Sequence, residues 1–222
     1  MKQLGLIFLT TISISVSGQN HFIGTKSGVS WTNINSDNFS RGSDPRIGFS
    51  GGLSYELFLK KHFSLGADII YNQRGFSNTI NFTDNNGNAT GEKSTDKFNY
   101  DYLSIPVKTG FTFGKNIYGF TNMGAIPSIL VDARTIIPVV NSSGRTTGTQ
   151  TFDVTSNVSK IDLGVLMEAG GGYKFNKYWL FTSVTYQQSI TTISNSSYFS
   201  DTRMRHKGLT LSLGLKYRLK KE

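Results

Sequence analysis

The chain has 222 residues, a formal net charge of +9 and no cysteine. This length suits one domain and not clearly two, and the lack of cysteine excludes a disulfide framework and a lipoprotein anchor. Its lysines and arginines are scattered, without a basic block or helix, so the charge does not indicate a nucleic-acid partner. A basic surface that faces anionic lipid headgroups is the simpler explanation of the positive net charge.

The first predicted element is a secretory signal peptide over residues 1–18. Lys2 supplies the charged start, an apolar run follows over residues 4–17, and Val16 and Gly18 occupy the −3 and −1 positions of a cleavage site. The alternative is a membrane anchor, but the run is shorter than the roughly 20 residues that a spanning helix needs. We therefore expect an exported protein whose mature domain covers residues 19–222.

Alternation with a period of two predicts eight strands after the signal peptide. They cover roughly residues 22–34, 46–58, 62–76, 98–114, 116–131, 159–175, 178–193 and 204–219. Tight turns connect the second to the third strand, the fourth to the fifth and the sixth to the seventh. The other connections are long and polar, around residues 35–45, 77–97, 132–157 and 194–203.

Short turns at one rim and long loops at the other are typical of outer-membrane barrels. The predicted fold class is therefore all-β: an eight-stranded antiparallel up-and-down transmembrane β-barrel with short periplasmic turns and long extracellular loops. The expected location is the cell outer membrane, with the lipid of that membrane as the first partner. No second apolar run reaches the length of a spanning helix, so insertion must be by barrel.

The last strand carries the most regular alternation. It is long enough to cross a bilayer, since a tilted spanning strand needs roughly 9 to 11 residues. Four leucines on one of its faces are predicted to contact lipid: Leu209, Leu211, Leu213 and Leu215.

Charged residues keep to the opposite face in several strands. A soluble lipocalin-like barrel would turn that face to water, whereas a membrane barrel turns it inward. Near mid-strand this face carries Gly and Ser more often than long charged side chains, as a narrow lumen requires, and its charges nearly balance. We predict an ion-pair network in the lumen made of Glu56, Asp68, Arg74, Lys108, Asp162, Glu168 and Lys174, with Lys216 and Arg218 on the same face of the last strand.

The fifth strand alternates less regularly. The expected arrangement places Tyr118, Phe120 and Ile126 toward lipid, with Thr121 and Met123 inside, which leaves Asn122 on the lipid face. In the seventh strand, Leu180, Val184 and Tyr186 are expected to face lipid.

Several motifs resemble the PorT-like porin family, small outer-membrane barrels of Bacteroidota. The most specific is Leu-Ser-Ile-Pro-Val-Lys over residues 103–108, accompanied by Gly-Phe-Ser-Gly-Gly-Leu over 48–53 and Gly-Gly-Gly-Tyr over 170–173. The resemblance covers the whole mature chain. It implies an outer-membrane barrel, and through some relatives a part in protein export together with other outer-membrane or secretion proteins.

The end of the last strand is also similar to the signal that the barrel assembly machinery reads in such proteins. The pattern comprises Ser212, Gly214 two positions on, and hydrophobic residues five and seven positions on, Tyr217 and Leu219. The resemblance thus implies the assembly machinery as a partner during biogenesis.

Residues that could carry catalysis or hold a cofactor or metal do not form a recognisable motif. His21, His62 and His206 lie in different regions, and three separated histidines are more typical of surface groups than of metal ligands. Asp162 and Glu168 share a strand face and could perform acid–base chemistry, but lysines predicted nearby favour an ion-pair network. We therefore predict no catalytic, cofactor or metal site, and no enzyme activity.

The preferred function is a structural or accessory outer-membrane barrel that contacts partners through its long loops. It is not expected to be an open diffusion pore, because eight strands enclose little more than their own side chains. The alternatives are a small porin-like channel or binding barrel, a lipid-modifying enzyme, and a soluble periplasmic lipocalin-like binder.

Overall fold

The computed structural model describes residues 20–36, 43–83, 86–141, 146–193 and 203–219. These residues form β1 (Asn20–Ser36), β2 (Ser43–Phe58), β3 (Phe63–Thr83), β4 (Ala89–Ser104), β5 (Val107–Gly114), β6 (Ile117–Val140), β7 (Thr146–Asp153), β8 (Ile161–Phe175), β9 (Tyr178–Ser189) and β10 (Met204–Arg218), with one short 3-10 helix, Thr155–Asn157. The predicted signal peptide, residues 1–18, lies outside the described residues. Within these ranges, no helix is long and apolar enough to cross a membrane.

The strands close into a ring. The first strand, β1, pairs antiparallel with β2 on one side and with β10 on the other. β4 and β5 share one position, because both lie between β3 and β6, and β7 pairs with β6 beyond the end of β8. The ring therefore has eight positions, and the predicted eight-stranded antiparallel up-and-down barrel is confirmed.

The predicted fourth strand is divided at Ile105 and Pro106. Pro106 has no N–H to donate to a ladder, so the regular pairing stops there. The neighbours still hold this segment: the N–H of Asp68 donates to the carbonyl of Pro106 (3.0 Å), and the N–H of Ile105 donates to that of Pro127 (2.8 Å). The strand thus continues through the interruption without leaving the barrel wall.

The two rims differ as the sequence predicted. The short-turn rim has the connections 59–62, 115–116 and 176–177, and the start of β1 and the end of β10 also lie there. Two of these turns use left-handed backbone, with φ of +93° at Gly114 and +51° at Asn176. Glycine and asparagine are the residues that adopt this conformation most readily. The opposite rim, called here the long-connection rim, carries the remaining connections.

Two segments predicted as long loops are largely β-structure. β3 continues to Thr83 and pairs with β4 from Ala89 onward, while β6 continues to Val140 and pairs with β7. The prediction missed them because Asn, Ser and Gly, which are common in turns, are frequent there, although β-branched residues such as Thr are also common in strands. The barrel wall therefore extends beyond the long-connection rim as two hairpins, β3–β4 and β6–β7.

Apolar side chains lie on the outside of the wall and polar ones inside. Ile47 and Leu213 are each 67% exposed, whereas Ser50, Ser54 and Glu56 are buried. A soluble barrel has the opposite arrangement. The outer surface is thus suited to lipid, and the core of this protein is its polar lumen with an apolar cluster at each end.

The expected faces of the fifth predicted strand, now β6, are wrong. Tyr118, Phe120 and Ile126 are buried inside, Met123 is exposed on the outer wall, and Asn122 points into the lumen. The reason is that the lumen near the short-turn rim is filled with aromatic rings. Glycines on the facing strand provide the room: a Cβ on Gly170 would lie 2.6 Å from the Phe120 ring. For the seventh predicted strand, now β9, Leu180, Val184 and Tyr186 are exposed outside.

Candidate functional site

The lumen contains the main concentration of charged side chains in the described part of the chain. Four cations pair with four carboxylates there, at three successive levels along the barrel axis. Each of these side chains is at most 10% exposed. Buried charges persist only when they are paired and hydrogen-bonded, so the balance of signs is a physical requirement of this interior.

The middle level is a closed square of two lysines and two carboxylates. Lys26 lies 2.9 Å from Asp68 and 3.4 Å from Glu168, while Lys108 lies 2.7 Å and 3.3 Å from the same two groups. Glu168 also accepts hydrogen bonds from Asn122 Nδ2 (2.7 Å) and Ser183 Oγ (3.0 Å). β1, β3, β5 and β8 each contribute one charge, so the square ties four strands together across the lumen.

The level nearest the short-turn rim joins β2 to β10. Lys216 forms an ion pair with Glu56, and Ser64 Oγ donates to the same carboxylate over 2.6 Å. The Lys216 ammonium also lies 5.0 Å from the ring centres of Phe120 and Phe181, a cation–π arrangement. This lysine therefore links the charged lumen to the aromatic cluster below it.

The level nearest the long-connection rim joins β3 to β8. Arg74 Nη1 lies 2.6 Å from Asp162, and Arg74 Nη2 donates to Ser128 Oγ (2.9 Å). Asp162 in turn accepts hydrogen bonds from Ser189 (2.8 Å) and Thr191 (2.8 Å). The guanidinium also lies 4.7 Å from the ring centre of Tyr102, a cation–π arrangement.

An apolar cluster closes each end of the lumen. At the short-turn rim it consists of Phe22, Phe58, Tyr118, Phe120, Trp179 and Phe181. At the long-connection rim it comprises Ile34, Phe76, Tyr100, Tyr102, Leu130, Ala133, Val154, Val158, Ile193 and Met204. The connection between β7 and β8 supplies Val154 and Val158, and the N–H of Val154 donates to the Ala133 carbonyl over 2.9 Å.

A small cavity lies beside the middle level, with a volume of about 30 Å³. Lys26, Lys108 and Glu168 line it together with Asn72 and Gln187, and Asn72 Nδ2 donates to Gln187 Oε1 over 3.2 Å. Such a volume suits about one or two water molecules. It is too small to admit a solute.

The structure places the sequence-predicted lumen residues in two groups. Glu56, Asp68, Arg74, Lys108, Asp162 and Glu168 all take part in the three ion-pair levels. Lys174 does not: its ammonium lies 4.1 Å from the ring centre of Trp179 and 5.0 Å from that of Tyr118, without a carboxylate partner in the described ranges.

The predicted ion-pair network did not include Lys26. The inward position of Lys26 could be predicted from alternation, because one face of β1 carries Phe22, Gly24, Lys26, Gly28 and Ser30. Lys26 was left out because no faces were predicted for the first strand.

The three histidines lie apart from one another. His21 Nδ1 is 2.6 Å from Tyr55 Oη, His62 Nδ1 is 2.7 Å from the Thr112 carbonyl, and His206 is buried against the rings of Tyr100 and Tyr102. In the part of the chain that the structure describes, no group of three or more His, Cys, Asp or Glu side chains could hold a metal ion.

A family model for the outer membrane protein beta-barrel domain matches residues 17–195, most of the chain. The chain belongs to this family. As an outer membrane barrel it lies in lipid, which agrees with its apolar outer wall, and the short-turn rim is then the periplasmic rim, with the long-connection rim outside the cell.

Solved structures similar to this outer membrane barrel include Neisserial surface protein A, with 13% identity, a TM-score of 0.46, and 89% of this chain and 97% of that chain covered. OprG from Pseudomonas aeruginosa has 12% identity, a TM-score of 0.48, and 92% and 97% coverage. The protease OmpT from Escherichia coli has 11% identity, a TM-score of 0.39, and 95% and 99% coverage. No curated protein sequence matches the chain.

The residues predicted to contact lipid and to direct assembly lie on β10 of the outer membrane barrel or directly after it. Leu209, Leu211, Leu213 and Leu215 are all exposed on the outer wall. Ser212 is buried in the lumen, and a Cβ on Gly214 would lie 2.2 Å from the Phe181 ring. Gly214 is therefore required for packing, whether or not the assembly machinery also recognises it.

Proposed function

We propose that this outer membrane barrel is a closed structural or accessory protein and not a diffusion pore. The observation that carries the proposal is the filled lumen. Three ion-pair levels and two apolar clusters occupy it from the periplasmic rim to the extracellular rim. An ion that crossed this interior would have to break buried ion pairs or displace packed rings.

Planar-bilayer recording of the refolded barrel tests this directly. We expect no discrete conductance steps, because side chains fill an eight-stranded interior and the cavity at the middle level is only about 30 Å³. A general diffusion porin, refolded and inserted by the same procedure, is the positive control. Stable ohmic steps from the unmodified barrel would instead support the small porin-like channel.

The extracellular hairpins are the proposed contact surface for partners. β3–β4 and β6–β7 extend the wall beyond the rim, and Ile80, Ile137 and Phe152 on them are exposed. The end of β7 is fixed locally, since the N–H of Thr155 donates to the Asp153 carboxylate over 2.9 Å. This hydrogen bond holds the pKa of Asp153 below its usual value. A defined hairpin binds with less loss of conformational entropy than a disordered loop.

Within the family, the chain is proposed to belong to the PorT-like group. The support is the segment Leu103 to Lys108, whose proline lies in the barrel wall and whose lysine belongs to the central ion-pair square. Through that group, we propose an accessory part in protein export with other outer-membrane or secretion proteins.

Export by a signal peptide over residues 1–18 and recognition of the last strand by the assembly machinery are proposed together. For the protein isolated from cells, intact-mass measurement is expected to show a mature chain that begins at Gln19.

The double substitution Tyr217→Ala and Leu219→Ala should lower the amount of heat-modifiable barrel in the outer membrane, while refolding in micelles stays efficient. The pair Leu209→Ala and Leu213→Ala, on the same face, is the control. Equal losses for both pairs would argue that stability, and not recognition, is affected.

A further inference from the structure

We propose that the periplasmic mouth of this barrel is a binding site for a phosphate-bearing anion. A cavity of about 260 Å³ opens there below the aromatic cluster. Three buried rings, those of Phe22, Phe58 and Trp179, form its inner end. The residues around them come from the β2–β3 turn and from inward-facing positions at the ends of β1, β8 and β10.

The charge of this cavity has one sign. Lys60, Lys61, Lys174 and Arg218 line it, and none of its lining residues within the described ranges is a carboxylate. Glu56 is the inward-facing acid of the neighbouring level, and Lys216 and Ser64 already engage it. None of the four cations forms an ion pair with a carboxylate in the described ranges, in contrast to the lumen cations of the three ion-pair levels.

An anion from outside would relieve this imbalance. Lys174 and Arg218 are half-buried, and cations removed in part from water are stabilised by a counterion. The Lys174 ammonium is held over the Trp179 and Tyr118 rings, which keeps one positive charge at the inner end of the cavity. One of the four positive charges is therefore in place before a ligand arrives.

The number of cations favours a phosphate over a carboxylate. A phosphate monoester carries close to two negative charges and three acceptor oxygens. An arginine can bind two of those oxygens in parallel, while lysines act as movable point charges. The rings of Phe22, Phe58 and Trp179 at the inner end offer a surface on which a small organic group of the ligand can pack. A phosphate ester uses both halves of the cavity and offsets about two of the four positive charges, whereas a carboxylate offsets about one.

Such a group could come from a soluble phosphate ester or from a lipid headgroup. The cavity opens along the barrel axis, inside the strand wall, and the lipid lies outside that wall. A soluble ester enters directly, whereas a headgroup has to bend over the rim. Both sources present the same chemistry to the four cations.

The two tryptophans of the chain allow a direct measurement. Trp179 lies at the inner end of the cavity, and Trp31 lies on the outer wall and is 42% exposed. In a Trp31→Phe barrel held in phosphate-free maltoside micelles, glycerol 3-phosphate should change Trp179 fluorescence saturably. The dissociation constant should rise with ionic strength.

Matched charge variants separate a site from a generally basic rim. Lys60→Gln with Lys61→Gln should weaken binding about tenfold or more, the effect of losing roughly one charge-assisted contact. Lys115→Gln with Lys177→Gln removes the same charge from the other two periplasmic turns, outside the cavity lining, and should leave the affinity within about twofold. Heat-modifiable mobility confirms folding of each variant.

Two results would overturn the proposal: a fluorescence signal that does not saturate, or equal weakening by the two pairs of variants. Nanodiscs with and without phosphatidylglycerol then identify the source. Competition by the anionic lipid assigns the site to a headgroup, and undiminished binding of glycerol 3-phosphate assigns it to a soluble ester. Either outcome supports an anion site.

Discussion

Replacing Glu168 with glutamine is expected to lower the free energy of unfolding by about 3–5 kcal/mol, the range for breaking one side of a buried ion pair. The substitution keeps the shape and leaves Asn122 and Ser183 within reach. However, Lys26 and Lys108 then share a single carboxylate, Asp68. The lumen retains one uncompensated positive charge, and denaturant unfolding of the barrel refolded into lipid vesicles would measure the loss.

A second substitution tests whether charge balance is the cause. Adding Lys26→Met to Glu168→Gln removes the surplus charge, so most of the lost stability should return. Asp132→Asn is the matched control, because it breaks an ion pair of 2.9 Å with Arg134, which is 59% exposed. Exposed pairs contribute about 0–1 kcal/mol. If Glu168→Gln were as mild as Asp132→Asn, the central square would not hold the barrel together.

Leu211→Arg is expected to destabilise the barrel by about 2–4 kcal/mol, the cost of a cation on the lipid face near the bilayer midplane. Leu211 lies in the middle of β10 and is 49% exposed on the outer wall. In water, an exposed leucine could be replaced by arginine with little effect. The expected loss therefore depends on lipid contact, and unfolding from vesicles would measure it.

Depth along the same strand provides an internal comparison. Leu215→Arg, closer to the periplasmic rim, should cost less than Leu211→Arg, because the penalty falls to about 0–1 kcal/mol near the interface. Thr149→Arg on β7, an exposed position outside the ring, should stay within about 0.5 kcal/mol. Equal tolerance of Leu211→Arg and Thr149→Arg would contradict a membrane location for β10.

Much of the barrel could be predicted from alternation. β10 is an example: its leucines and small polar residues separate so regularly that its two faces were identified from the sequence, and the structure places the leucines outside. Alternation failed where an apolar side chain faces inward. In β6, Tyr118 and Phe120 point into the lumen, and apolar character alone cannot distinguish a ring that packs inside from one that faces lipid.

The extracellular hairpins show a second reason for failure. Thr79 and Thr95 lie in segments rich in Asn, Ser and Thr, yet they pair in the β3–β4 ladder and their hydroxyls lie 3.1 Å apart. Backbone pairing holds these segments in β-structure without a buried apolar face. Composition therefore predicted loops where the structure has strands.

The sequence by itself determined the eight strand positions of the ring, the distinction between the two rims, and six of the charges in the lumen network. It could do so because strand periodicity and turn length are local properties of the chain. Only the tertiary structure decided which charges meet, that Lys26 completes the central square while Lys174 lies over Trp179, and that four cations share one periplasmic cavity. Those relations join residues far apart in sequence, and they depend on strand register and on the space that facing glycines leave for aromatic rings.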